Sequence, residues 1–199
     1  MPLLALAIAY VLGAIPFGFL LVKWKTGTDV RSSGSGNIGA TNVLRTTGRA
    51  AGVLTLLLDI AKGFVAVWLA GRLTGGNIHW MSAAAVMVML GHIFPVFLRF
   101  QGGKAVASFV GAYLYLTPVP LAAVLVVFVV TVARTRYISL GSILGAATFP
   151  LAVWLILHPP ASVVAAALVS GALILYRHRA NIARLREGTE HVFSFGGRK

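Results

Sequence analysis

The sequence predicts an all-α, polytopic integral membrane protein: one membrane-embedded domain over residues 1–199, with seven transmembrane helices and its polar loops gathered on one side. Three observations carry this expectation. Of the 199 residues 58% are hydrophobic and only 11% charged, with a mean hydropathy of +0.90, whereas soluble domains are about one quarter charged. The apolar residues fall into runs of the roughly 17 to 25 residues a span requires. Lys and Arg sit in short loops between those runs, as in a membrane protein with its basic loops inside. The net charge of +13 therefore does not point to nucleic acid, whose partners gather basic residues on one face.

The spans follow in order. Residues 2–22 open the chain; "MPLLALAIAY" has no basic leading segment and reads as a first span, not a cleaved signal peptide. Residues 51–70, 80–98, 138–157 and 161–176 are further spans. Residues 105–133 form either one long kinked helix or two short ones around "TPVP". Charge decides between them. With two helices, fifteen of the seventeen Lys and Arg fall on the side of the C-terminus, Arg72 alone lies opposite, and Lys62 is within a span. With one helix the split is 7 against 9, which is no bias. The seven-span reading places the N-terminus outside and the C-terminus in the cytoplasm. The fourth and fifth helices are short, so they are expected to tilt or to leave a thinned, wet region.

That topology brings four polar segments to the cytoplasmic face. The first, "SGSGNIGATNVLR" (33–45), is a glycine-rich loop inside an apolar chain. It contains G-x-G-x-x-G, with Asp59 twenty residues after Gly39, but a span and not a strand precedes it, which excludes a dinucleotide fold. Glycines allow backbone N–H groups to turn toward an anion. Ser35, Asn37, Thr41 and Asn42 add neutral donors, and Arg45 a bidentate charge. A plain interfacial turn explains the same glycines equally well. The second segment, "RFQGGKA" (99–105), has Gly102, Gly103 and Lys104 without the spacing of a Walker A loop. Lys104 is expected to open a helix, where dipole and ammonium both attract an anion, or else to snorkel at the interface. The others are "RTRYISLGS" (134–142) and "RHRANIARLREGTEH" (177–191), in which His178 and Asn181 share a helix face. His92 and the Asp59–Lys62 pair, at i,i+3 within a span, read more readily as structural. Trp24, Trp68, Trp80 and Trp154 fit an interfacial belt.

The residue inventory narrows the chemistry. With no cysteine, a thiolate metal site, a disulfide and a cysteine thioester intermediate are excluded. Only Asp29, Asp59, Glu187 and Glu190 are acidic, too few for the clustered carboxylates of a Mg²⁺-dependent phosphotransferase. None of the five His is followed five positions later by Asp, so the base–orienter pair of the soluble-type glycerolipid acyltransferases is missing. What remains is a site of cations, amides and hydroxyls that binds anions and stabilises a developing oxyanion. An organic-phosphate transporter would also use such a site, but its ligand would lie near mid-membrane between repeats, and no internal repeat is present.

Taken together, "SGNIGATNVLR", "DIAKG", "GHIFPVFLRFQGGKAVA", "RYISLGSI" and "HRANIARLREGTEH" closely resemble, in order and over almost the full length, the bacterial acyl-phosphate:glycerol-3-phosphate acyltransferase family (PlsY). The resemblance implies transfer of a fatty acyl group from acyl phosphate to the 1-hydroxyl of glycerol 3-phosphate. The products would be lysophosphatidic acid and phosphate, formed without a cofactor or metal as the first acylation of phospholipid synthesis. It implies a multi-pass protein of the bacterial cytoplasmic (inner) membrane whose partners are glycerol 3-phosphate, fatty acyl phosphate and membrane lipid. By the same resemblance, Ser35, Gly36, Asn37, Thr41 and Asn42 would cradle a phosphate, and Arg45 and Lys104 would bind it, with Gly102 and Gly103 alongside. His178 and Asn181 would position glycerol 3-phosphate, with Arg184, Gly188 and Glu190 shaping that segment and Ser139 and Ser142 as further candidates. The hydroxyl proton would pass to a substrate phosphate oxygen, or in the competing mechanism to His178.

Overall fold

The computed structural model describes residues 1–193, so Arg198 and Lys199, counted above on the cytoplasmic side, lie outside the described residues. The described chain is helical, without strands among the described residues, and divides into two compact units, Met1–Leu116 and Thr117–Lys199.

The first unit holds α1 (Pro2–Ala14), α2 (Phe17–Thr26), α3 (Ala40–Thr47), α4 (Arg49–Leu73), α5 (Ile78–Ile93) and α6 (Val106–Leu116). The expected first span is thus two helices. Pro16 has no N–H to give and forces Ile15 into extended backbone (φ −64°, ψ 114°). Asn77 caps α5 by accepting from His79 N and Trp80 N, and α5 ends ahead of Pro95. α1 packs on α5, and α4 on α6. Both contacts are glycine-to-carbonyl in both directions. A β-carbon on Gly13 would overlap the Val88 carbonyl and one on Gly91 the Tyr10 carbonyl; Gly63 and Gly111 stand in the same way against Ser108 and Ile60. In lipid there is little hydrophobic drive between helices, so close backbone approach through small residues is what holds such pairs.

The second unit holds α7 (Pro118–Thr135), α8 (Ile138–Leu157), α9 (Ala161–Arg177) and α10 (Arg179–Arg186). α7 and α8 form a hairpin, and α9 packs on α8. α10 departs from the α9 axis by 57°, with His178 at the joint (φ −96°, ψ 6°).

In the ambiguous stretch 105–133 there are two helices, broken at Thr117, whose φ of −146° precedes Pro118 at the first turn of α7. Length and composition alone pick out fewer than the seven expected spans. Five segments are long and apolar enough to span: Pro2–Thr26, Arg49–Leu73, Ile78–Leu98, Pro118–Thr135 and Ile138–Leu157; the bent pair of α9 and α10 makes a sixth. α6 has 11 residues, about 16 Å at 1.5 Å per residue, roughly half a hydrocarbon core.

Candidate active site

The glycine loop rests on an apolar floor. Val22, Val30, Ile38, Val43, Ala51 and Leu98 form one buried cluster, with Phe19 against it. Above it Asn42, 2% exposed, holds the loop in shape. Its Nδ2 donates to the carbonyls of Val30 (3.2 Å), Ser33 (3.1 Å) and Asn37 (2.9 Å), and its Oδ1 accepts from Ser35 N at 2.8 Å. Gly34 and Gly36 take φ of +62° and +68°, which L side chains resist. Asn37 Oδ1 accepts from Gly39 N at 2.8 Å, turning the chain into α3. Asn37 and Asn42 therefore frame the loop, and the side-chain capacity of Asn42 is taken up within it. Ser35, Thr41 and Arg45 are exposed, and no described residue hydrogen-bonds their side chains. Thr41 and Arg45, at i,i+4, share the outer face of α3. At the loop entrance Arg31 Nη2 meets Asp29 Oδ2 at 2.6 Å, and the hydrogen bonds from Arg31 hold the Asp29 carboxyl below the usual carboxylate range.

The Gly102–Gly103 turn reaches the same floor through Leu98, six residues before Lys104. Both glycines are buried, and their amides complete the C-terminus of α5: Gly102 N donates to Ile93 O at 3.1 Å and Gly103 N to His92 O at 3.0 Å. These N–H groups thus cap carbonyls left over at a helix end. Lys104, half-buried, lies two residues ahead of α6 and not within it. Its neighbour Ala105 is buried at φ +60°, a conformation that costs a non-glycine residue about 1 to 2 kcal/mol.

The second unit carries its own polar cluster. His178 is 2% exposed, and its Nδ1 lies 2.8 Å from Ile174 O. A carbonyl only accepts, so Nδ1 bears the proton in this contact. Glu190 accepts from Asn181 Nδ2 at 2.8 Å and from Arg184 Nε at 2.9 Å. Burial alone would raise the Glu190 pKa, but the hydrogen bonds from Asn181 and Arg184, the Arg184 charge and nearby Ser139 outweigh it and lower it. Ser139 Oγ is buried and makes no hydrogen bond of good geometry among the described residues; it assists the carboxylate by proximity. Gly188 turns the chain at φ +69°, Thr189 N donates to Arg184 O at 2.8 Å, and Phe193 N to Arg136 O at 2.8 Å. Residues 188–193 thereby strap α10 to the α7–α8 turn. Ser142 Oγ donates to Ile138 O at 3.0 Å within α8.

One polar group escaped the motif reading. Ser108 Oγ lies 3.3 Å from His92 Nδ1, and nothing in "AVASFV" marks that serine. The apolar floor was legible only as scattered Val, Ile and Leu.

Residues 3–188 match the family model described as glycerol-3-phosphate acyltransferase. The chain is 47% identical over 191 residues to the glycerol-3-phosphate acyltransferase of Geobacter sulfurreducens, covering 96% of this chain and 97% of that one. With the protein of the same name from Geotalea daltonii it shares 46% over 185 residues, 93% of this chain and 94% of that one. Two solved structures are similar throughout. The crystal structure of PlsY (YgiH), an integral membrane glycerol 3-phosphate acyltransferase, in its glycerol 3-phosphate form, superposes with a TM-score of 0.91 at 39% identity, over 97% of this chain and 96% of that one. Its lysophosphatidic acid form gives 0.88 at 38% identity, over 97% and 95%. This all-helical integral membrane protein belongs to the glycerol-3-phosphate acyltransferase family.

Proposed function

We propose that this protein transfers a fatty acyl group from acyl phosphate to the 1-hydroxyl of glycerol 3-phosphate at the cytoplasmic face of a bacterial inner membrane. The observation that carries the reading, beside the family, is the shared apolar floor. It supports both the glycine loop of Ser35, Thr41 and Arg45 and the turn that leads to Lys104. Two cations and a set of hydroxyls and amides suit a phosphoryl group and the oxyanion that develops beside it. Asn37, Asn42, Gly102 and Gly103 frame these groups. In the second unit His178 and Asn181 position glycerol 3-phosphate, with Glu190, Arg184 and Gly188 holding the strap.

The chemistry needs no enzyme carboxylate. Three of the four acids are engaged by cations: Asp29 by Arg31, Asp59 by Lys62 and Glu190 by Arg184. Neither a carboxylate base nor a carboxylate metal site is readily assembled from them. The glycerol hydroxyl oxygen attacks the acyl carbonyl carbon, the acyl–oxygen bond to phosphate breaks, and phosphate leaves. The hydroxyl proton passes to a phosphate oxygen of a bound substrate. In a second route the proton passes to His178, whose ring Ile174 O orients through Nδ1.

Purified protein in detergent, given glycerol 3-phosphate and palmitoyl phosphate, is expected to release lysophosphatidic acid and phosphate in equal amounts, unchanged by EDTA. Palmitoyl-CoA as sole donor is expected to be inert. Comparable turnover with the thioester would overturn the choice of donor.

A further inference from the structure

A line of buried polar side chains crosses the helices of the first unit and takes no part in the chemistry above. Lys62 Nζ donates to the Ile15 carbonyl, at the break between α1 and α2, at 2.8 Å. It also stands 2.8 Å from Asp59 Oδ1. That oxygen makes no hydrogen bond of good geometry among the described residues; charge holds it. It lies 3.7 Å from His92 Nδ1, which Ser108 Oγ approaches at 3.3 Å. The side chains of Lys62, Asp59 and His92 are at most 4% exposed.

Ionic groups at membrane depth are costly. Glycine-to-carbonyl contacts already join α1 to α5 and α4 to α6, so helix locking alone does not call for charges here. The line ends at the Gly102–Gly103 turn. A β-carbon on Gly103 would overlap His92 Nε2, and one on Gly102 the His92 carbonyl. The His92 ring is thus the surface on which the turn lies. Lys104 follows directly, held on its other side by Ala105, 1% exposed and at φ +60°.

We infer that Lys62, Asp59 and His92 form a positioning device for Lys104: the charge pair fixes the His92 ring, and the ring fixes the turn that aims the ammonium. The inference rests on the proposal that Lys104 binds substrate phosphate. His92 is a positioning residue here, since it acts through Lys104 and not on substrate.

A double-mutant cycle tests it, with kcat/KM for acyl phosphate and the thermal midpoint in detergent both recorded. His92→Ala is expected to lower kcat/KM about 10- to 100-fold, the cost of a misplaced catalytic group. In a Lys104→Ala background the same change should cost less than about 3-fold, because nothing is left to aim. The fall in thermal midpoint should be equal in both backgrounds. Gly103→Ala, which pushes on the ring from the other side, and Ser108→Ala, which removes its hydroxyl neighbour, should show the same non-additivity and carry the cycle where His92→Ala does not fold. A Lys104→Ala enzyme with wild-type kcat/KM would sink the phosphate reading itself. An impaired Lys104→Ala enzyme in which the second substitution multiplies the loss in full would leave that reading standing and overturn the positioning role.

Discussion

Arg45 and Lys104 are held in opposite ways. Arg45 stands exposed on α3, its side chain unbonded by any described residue, whereas Lys104 is half-buried behind a turn whose two glycine amides are directed into the end of α5. Their roles are therefore separable by kinetics. Arg45→Ala and Lys104→Ala should each cost about 2–4 kcal/mol of transition-state stabilisation, roughly 30- to 1000-fold in rate. Arg45→Lys should stay poor, since an ammonium cannot reproduce the planar two-pronged contact with phosphate. The control is Lys25→Ala, an exposed cation at the end of α2, which should leave the rate unchanged. Steady-state kinetics with each substrate varied in turn measures this, and near-wild-type rates for both alanine variants would remove the loop from the site.

Among elements, the α4–α6 contact is the most exacting. Gly111 lies so close to the Ile60 carbonyl that no side chain fits, while Gly145 in α8 has only Val124 O near its β-position, at 3.7 Å. Gly111→Ala should therefore lower the thermal midpoint by several degrees and Gly145→Ala should not. An equal effect of both would mean that backbone approach is not what joins α4 to α6. The strap of residues 188–193 depends on charge instead. Glu190 has its pKa lowered by folding, so its ionised contacts stabilise the folded state above the ordinary glutamate pKa of about 4.3 and are lost as pH falls through the lower folded value. Glu190→Gln should melt lower than wild type at pH 7, and the gap should close in acid. A gap that stayed constant as pH fell far below the ordinary glutamate range would mean that shape, and not charge, holds the strap.

For the whole molecule the open quantity is sidedness. We propose the N-terminus outside and the polar loops in the cytoplasm, with the short α6 crossing a locally thinned bilayer. The motive is the placement of Lys and Arg, fifteen of seventeen on one side. Cysteine labelling in intact cells should modify Gly75→Cys and spare Thr28→Cys until lysis. Labelling of the second before lysis would invert or break the topology.

Amphipathic accounting alone fixed much of this protein. Apolar run length located α4, α5, α8 and α9 within a few residues, because a span's length follows from bilayer thickness. Pro118 marked the break between α6 and α7, since proline restricts the residue before it wherever it stands. The choice of Ser35, Arg45, Lys104, His178 and Asn181 rested on residue type, order and resemblance. Tertiary structure decided what each polar group faces. Asn42 reads as a donor in the sequence, yet folding turns it inward onto three carbonyls. Gly102 and Gly103 stand in the sequence only as neighbours of Lys104, and folding alone brings their amides to the end of α5. The chain from Lys62 to His92 joins residues 15, 59, 62, 92 and 108. The i,i+3 spacing announces the Asp59–Lys62 pair, but not its links to residues 15, 92 and 108, because those distances are set only by packing between helices.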